Sequence, residues 1–278
     1  MKEGEKMKNK LGVTTNCYAG FSLDEALNGI TKTGAKYVEL SAMYDICDAH
    51  ADKIEHVMPE KMNDQDVSNL KDKLKELSLI PMSISGHVDL SKPESVMPQK
   101  RRIDIAKSLR ADIVISKTGN PASKEEVDLF YKNVSEVADY ASKNNIIVAL
   151  ETAGSFLSSA KKAAPILKKI NSDYIRLTYD TANVIFYEGV RPDEDIEYAI
   201  QYLSYVHLKD KRGGKGVYEF PALGTGEVNF KKIFNIFSKN KYEGPLSIEV
   251  EFFKKPMVKD VDDAVQKSYE YIMGLLNS

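Results

Sequence analysis

The chain has 278 residues, of which 42% are hydrophobic and 29% charged, with a formal net charge of -2, the balance of a globular protein with a sizeable core. Near-neutral charge gives no electrostatic case for binding nucleic acid, and no apolar run is long enough to cross a bilayer. Two cysteines, Cys17 and Cys47, supply neither a disulfide framework nor a CxxC zinc pair. The first ten residues, MKEGEKMKNK, are polar and lysine-rich with no apolar segment behind them. Residues 1–10 are therefore expected to be a disordered tail, and the protein to be cytoplasmic.

From Leu11 onward, strand-like and helix-like segments alternate at intervals of roughly thirty residues, the pattern of repeated βα units. Strands are expected near 11–17, 36–41, 80–87, 112–117, 146–152, 174–180, 204–210 and 245–252. Eight units without a linker predict one domain over residues 11–278, a (β/α)8 TIM barrel, which takes about 250 residues. Ser22-Leu23-Asp24-Glu25 has the form of a capping box ahead of the first helix, as does Ser123-Lys124-Glu125-Glu126 ahead of the fourth. The last helix, from about Asp260 to Leu276, sets Val261, Ala264, Val265, Tyr269, Ile272 and Leu276 on one face. Two connections exceed what helix packing needs: residues 42–63, with Tyr44, Asp45, His50, His56 and Pro59, and the glycine-rich residues 211–228. Both fall at the C-terminal face of a barrel, where lid and specificity loops are built.

Four apolar runs in the second half end in residues that bind hard or borderline metal ions: Val148-Ala149-Leu150-Glu151, Ile175 to Asp180, Tyr205-Val206-His207 and Leu246-Ser247-Ile248-Glu249. One strand-end carboxylate means little, since it can simply be solvated. Four successive strands ending in Glu, Asp, His and Glu converge on a point if the strands are barrel neighbours. The set is oxygen-rich, with one nitrogen and no thiolate. It suits one divalent ion, Mn²⁺ first, with Mg²⁺, Co²⁺, Fe²⁺ or Zn²⁺ as alternatives.

Glu39 and His87 end strands 2 and 3 at the same face, placed to contact a sugar hydroxyl, to orient the ligands, or to form a structural pair with each other. Lys209 shares the strand face of His207, and Arg212 follows it. Both are candidate substrate contacts, with a solvated loop charge the alternative for Arg212.

VALETAGS (148–155), YDTAN (179–183), VHLKDKR (206–212), LGTGEVNF (223–230) and GPLSIEVE (244–251) together resemble the motifs of the xylose isomerase-like sugar phosphate isomerase/epimerase superfamily, in order and over nearly the whole chain after residue 10. That superfamily contains ketose 3-epimerases, inosose dehydratases and isomerases, lyases of oxidised glycosides and apurinic endonucleases. The resemblance implies that Glu151, Asp180, His207 and Glu249 bind the metal and that Glu151 and Glu249 also serve as base and acid. Glu251 is the runner-up for the last role. Where many relatives carry a histidine three residues after the strand-6 aspartate, this chain has Asn183, which suits a hydrogen bond to substrate better than a proton relay.

The chemistry implied is proton transfer next to a carbonyl of a keto sugar or keto polyol, through an enediolate, giving an epimer or isomer. Elimination from an inosose or a 3-keto-glycoside by a dehydratase or lyase is the alternative, and a non-catalytic sugar-binding barrel a more distant one. An apurinic endonuclease needs many histidine ligands, and the chain has four histidines, His50, His56, His87 and His207. The expected partner is a small sugar or cyclitol, with no membrane and no nucleic acid; self-association into a homo-oligomer is left open.

Overall fold

In the computed structural model, residues 7–42, 56–254 and 256–277 are described. Eight parallel strands close a barrel in sequence order: β1 Leu11–Thr14, β2 Tyr37–Ser41, β3 Ile80–Asp89, β4 Ile113–Lys117, β5 Ile147–Glu151, β6 Ile175–Asp180, β7 Leu203–Leu208 and β8 Leu246–Ile248. The helices among the described residues are α1 Leu23–Lys32, α2 Asp64–Glu76, α3 Val96–Leu109, α4 Lys124–Asn144, α5 Ala160–Ile170, α6 Asn183–Glu188, α7 Pro192–Asp195, α8 Phe230–Lys239 and α9 Val258–Leu276. Every expected strand is present. Both capping boxes form, Ser22 with Glu25 and Ser123 with Glu126. On α9, Val261, Val265, Ile272 and Leu276 are buried, and Ala264 and Tyr269 pack at the edge of the same core.

Two strands are shorter than the sequence pattern suggests. After β1 the Thr14 side chain accepts from Asn16 N at 3.2 Å and opens a 3-10 turn over Thr15–Tyr18, a local hydrogen bond that competes with the ladder. After β8 the returning loop forms an antiparallel bridge from Phe220 to Glu251. Glu249 N still donates to Leu208 O at 3.0 Å, so Glu249 is held against β7 although the ladder has ended. Of the residues expected to form a tail, Asn9 donates to the carbonyls of Tyr242 and Gly244 at 3.2 and 2.7 Å, and Lys10 O accepts from Leu246 N. Tyr44, Asp45 and His50 lie outside the described residues. His56 is buried, its Nε2 3.0 Å from Phe21 O. No helix among the described residues is long and apolar enough to cross a membrane.

Strand alternation sorts the barrel into two cores. A small inner cluster of Met82, Ile113, Ile115, Ala149 and Tyr205 fills the bore, and the larger core lies between sheet and helices. Ala149 and Tyr205 fix the inward register of β5 and β7. Two residues further on, each strand therefore turns Glu151 and His207 to the same inner face. The barrel's packed layers end where these polar side chains begin.

Candidate metal centre

One ligand atom from each of Glu151, Asp180, His207 and Glu249 lies within 4.8 Å of the other three, and all four residues are buried. The register explains the convergence: Asp180 pairs with His207 across β6–β7, and Glu151 with Thr178 across β5–β6. His207 Nδ1 stands 2.8 Å from Glu151 Oε1 and 3.5 Å from Glu249 Oε2. Its Nε2 faces away, 3.1 Å from both oxygens of Glu39.

The two remaining acids are each tied by one oxygen. Asp180 Oδ1 accepts from the backbone N–H groups of Ala182 and Asn183, both at 2.8 Å, and Glu249 Oε1 accepts from Asn16 Nδ2 at 2.6 Å. Asp180 Oδ2 and Glu249 Oε2 are buried with no hydrogen-bond partner. Lys209 Nζ stands 3.8 Å from the first and 3.7 Å from the second, and His207 Nδ1 3.5 Å from the second, without the geometry of a hydrogen bond. A buried carboxylate oxygen without a partner is costly. A divalent cation would satisfy both oxygens together with Glu151 and His207 Nδ1, so the residues present fit such an ion.

The protonation pattern agrees with this fit. Burial opposes charge on His207, but Glu39, Glu151 and Glu249 outweigh it and hold the imidazole well above its ordinary value. Burial raises Glu151, yet His87 and His207 pull it far below the carboxylate range. Glu249 goes up through burial, against the opposing charges of Lys209 and His207. Asp180 is pushed up to about 7, chiefly by burial, against Lys209. Without a cation, the cluster thus meets its charge by holding protons.

A family model described as xylose isomerase-like TIM barrel matches residues 16–272. The chain belongs to this family. In sequence it is similar to an inosose dehydratase of Clostridium botulinum (strain Eklund 17B / Type B), 26% identical over 166 residues, which are 54% of this chain and 55% of that protein. The chain spans about half the length of the curated relatives it matches. In structure it is similar to D-allulose 3-epimerase from Methylomonas sp. in complex with D-allulose, at 21% identity and a TM-score of 0.74, covering 98% of each chain. A xylose isomerase-like TIM barrel protein from Mycobacterium smegmatis in complex with magnesium has a TM-score of 0.77 at 18% identity, covering 96% of each chain. At these identities the solved structures speak for the fold.

The other expected contacts separate. His87, Asn183 and Lys209 line the cavity above the four ligands. His87 Nε2 is 2.9 Å from Ser85 Oγ, and its Nδ1 is 3.5 Å from Glu151 Oε2. Lys209 donates to Glu251, and its ammonium lies 4.5 Å from the Phe220 ring centre. Burial would lower Lys209, but Glu249, Glu251 and Asp180 hold it well above its ordinary value, a fixed cation among acids.

Of the roles open to Glu39, a sugar contact, an orienting contact or a pair with His87, the structure shows the orienting one: it is fully buried below the cavity, and Ser83 Oγ and His207 Nε2 take its oxygens. Its partner is therefore His207, and His87 pairs with Glu151 instead. Arg212 was a second expected contact. Its guanidinium donates to Thr225 O at 2.8 and 3.1 Å and to Glu219 Oε1 at 3.2 Å, half exposed on the loop between β7 and α8. It clamps that loop and does not line the cavity.

Sequence reading missed Asn16, Lys117 and Asp210. Lys117 ends β4 and lines the cavity, so the strand-end rule applied to β4 would have found it. Asn16 follows the early end of β1, which the pattern placed inside the strand. Asp210 explains LGTGEV: its carboxylate accepts from Gly224 N, Gly226 N and Val228 N at 2.9, 2.8 and 3.1 Å. Gly224 has φ +85°, and a Cβ on Gly226 would meet Asp210 at 2.3 Å.

Proposed function

We propose that this chain is a divalent-metal-dependent isomerase or epimerase of a keto sugar or keto polyol, with Mn²⁺ the expected ion and Glu151, Asp180, His207 and Glu249 its ligands. When bound, the ion supplies Lewis-acid stabilisation of the negative charge that develops on a carbonyl oxygen as the neighbouring carbon loses its proton. Glu151, held ionised beside His87 and His207, takes that proton at a carboxylate oxygen. Glu249, just past the end of β8 and held high by burial, returns one to the enediolate. Two carboxyls whose surroundings push them in opposite directions are the expected form of an acid and base pair. His87, Asn183 and Lys209 line the wall above them and orient hydroxyls. Glu39 holds the His207 ring from behind, leaving Nδ1 turned to the centre.

The observation that carries this reading is the pair of buried, unpartnered oxygens on Asp180 and Glu249, converging with Glu151 and His207 Nδ1. Elimination is the second reading, a carbon–oxygen lyase using the same centre. It is favoured by the similarity to an inosose dehydratase and by His87, which stands near Glu151 with its ring on the cavity and can protonate a leaving group. Turnover of candidate ketoses and inososes in D₂O separates the two. Deuterium next to the carbonyl without loss of water supports isomerisation; an enone or diketone, or release of an alcohol, moves the chain to the lyase reading. No turnover of any of them by metal-loaded protein contradicts both and favours a sugar-binding barrel. The cytoplasm as its compartment belongs to the same proposal.

A further inference from the structure

The cavity over the ligand cluster has a volume of about 840 Å³, near the upper end of the roughly 300–1,000 Å³ of sites that enclose drug-sized ligands. A monosaccharide fills only part of that. Its floor is polar, made by Glu151, Glu249, Lys209, His87, Asn183 and Lys117. One wall is aromatic, with Phe186 from α6, Tyr218 and Phe220 from the loop after β7, and Phe252 and Phe253 from the loop after β8. These rings are in contact with one another: Phe186 lies 6.2 Å from Tyr218 and 5.8 Å from Phe220, and Tyr218 lies 4.9 Å from Phe220 and 5.8 Å from Phe253, centre to centre. Phe253 remains 76% exposed and Tyr218 38%, so the wall presents uncovered aromatic surface continuous with the polar floor.

We infer that the substrate carries an apolar, aromatic group attached to its keto-sugar ring, seated on this wall while the sugar meets the ligand cluster. The inference rests on the keto-sugar reading above. A second sugar is a poor occupant. Phe186, Phe220, Phe252 and Phe253 have no polar side-chain atom, and the Tyr218 hydroxyl already donates to Glu251, which also takes Lys209. Hydroxyls turned toward the wall would lose water and gain no partner, leaving a second sugar only the weaker contact of a C–H face. An aryl ring instead gains apolar burial and edge-to-face contacts with rings already arranged that way. The Tyr218–Glu251–Lys209 chain also ties the wall to the floor, fixing both ends of such a substrate relative to each other.

The test compares phenyl and methyl 3-keto-β-D-glucopyranoside with the metal-loaded protein, reading association constants by calorimetry, or kcat/KM where turnover occurs. The phenyl compound is expected to be preferred at least about tenfold, a difference of about 1.4 kcal/mol, and the preference to fall below about threefold in both Phe253→Ala and Phe186→Ala. Tyr198→Ala, an exposed aromatic outside the cavity, is expected to keep the full ratio. Equal affinities, or a preference that survives both wall variants, would overturn the inference. So would sedimentation showing a homodimer that Phe253→Ala dissociates, with no phenyl preference, because the wall would then serve a second copy of the chain. A wall-dependent phenyl preference with no deuterium uptake, water loss or aglycone release supports the subsite and overturns the reaction reading instead.

Discussion

Glu151, Asp180, His207 and Glu249 stand at or next to the C-terminal ends of β5 to β8, and one side-chain oxygen or nitrogen from each lies within 4.8 Å of the others. The polar side chains from the other half of the barrel reach the same point mainly through these four: Glu39 through His207, Asn16 through Glu249 and His87 through Glu151. Both halves follow the same inward register, yet one supplies free oxygens and the other spends its hydrogen-bonding groups fixing where those oxygens point. Glu39 and Glu151 show the difference most sharply. Both are buried carboxylates on the same imidazole, but Glu151 lines the cavity and Glu39 does not. Burial and a histidine partner are common to both, so on the proposed reading it is access to the cavity that separates the reactive carboxylate from the supporting one.

The comparison breaks first if the ligand half is not the reactive half. Glu151→Gln and Glu249→Gln keep size and one oxygen while removing the base or acid, and each is expected to lose at least about a hundredfold in kcat. Glu251→Gln is expected to lose much less, because Glu251 binds Lys209 and Tyr218 and not the ligand atoms. A damaging Glu251 change with a tolerant Glu249 would move the strand-8 assignment by two residues.

Next in size is the supporting half. Glu39→Gln keeps a hydrogen-bond acceptor for His207 Nε2 but not the charge, and is expected to weaken metal affinity about 10- to 100-fold, with activity recovered by excess metal. An affinity unchanged by the substitution would show that Glu39 is merely packed beneath the site.

Proton competition sharpens the same point. His207 is held well above its ordinary value by Glu39, Glu151 and Glu249 despite burial, which favours the protonated imidazole in the metal-free protein. Asp180, pushed up to about 7, takes a proton as pH falls through that value. Both protons must leave for an ion to bind. Apparent metal affinity is therefore expected to rise with pH across the neutral range, with protons released on binding. Calorimetry in buffers of different ionisation enthalpy checks the sign; an affinity independent of pH would contradict it.

The smallest effect lies away from the site. Ser123→Ala removes the cap of α4, which accepts from Glu126 N, and is expected to cost about 1 kcal/mol of stability with kcat unchanged. Denaturant melts and rate assays read the two quantities separately.

The barrel was legible because short apolar runs of strand length, each closed by a polar residue, are local signals, and β5, β6 and β7 carry them. The four converging side chains were legible as a set of strand ends: Glu151, Asp180, His207 and Glu249 each close one of four successive apolar runs. For Glu39 and Arg212 the strand-end rule gives a face and not a depth, so it left open which of their alternative roles each takes. Glu39 pairs back into the bore, where His207 meets it, and Arg212 is captured by the Thr225 carbonyl and the Glu219 carboxylate of its own loop. The early end of β1 hid Asn16, since a threonine turn competes with a ladder only when tertiary contacts leave the ladder unfinished. The aromatic wall was not legible at all. Phe186 comes from the short helix α6 and Tyr218 and Phe253 from two loops, segments whose sequences carry no shared period, and only the closure of the barrel brings them together.

Elemental analysis of the purified protein beside its Asp180→Ala variant, followed by activity after chelation and metal return, tests the central claim most directly. The account predicts one divalent ion per chain, bound at least tenfold more weakly without Asp180, with activity lost on chelation and regained on adding Mn²⁺. Full activity in rigorously metal-free protein would contradict it.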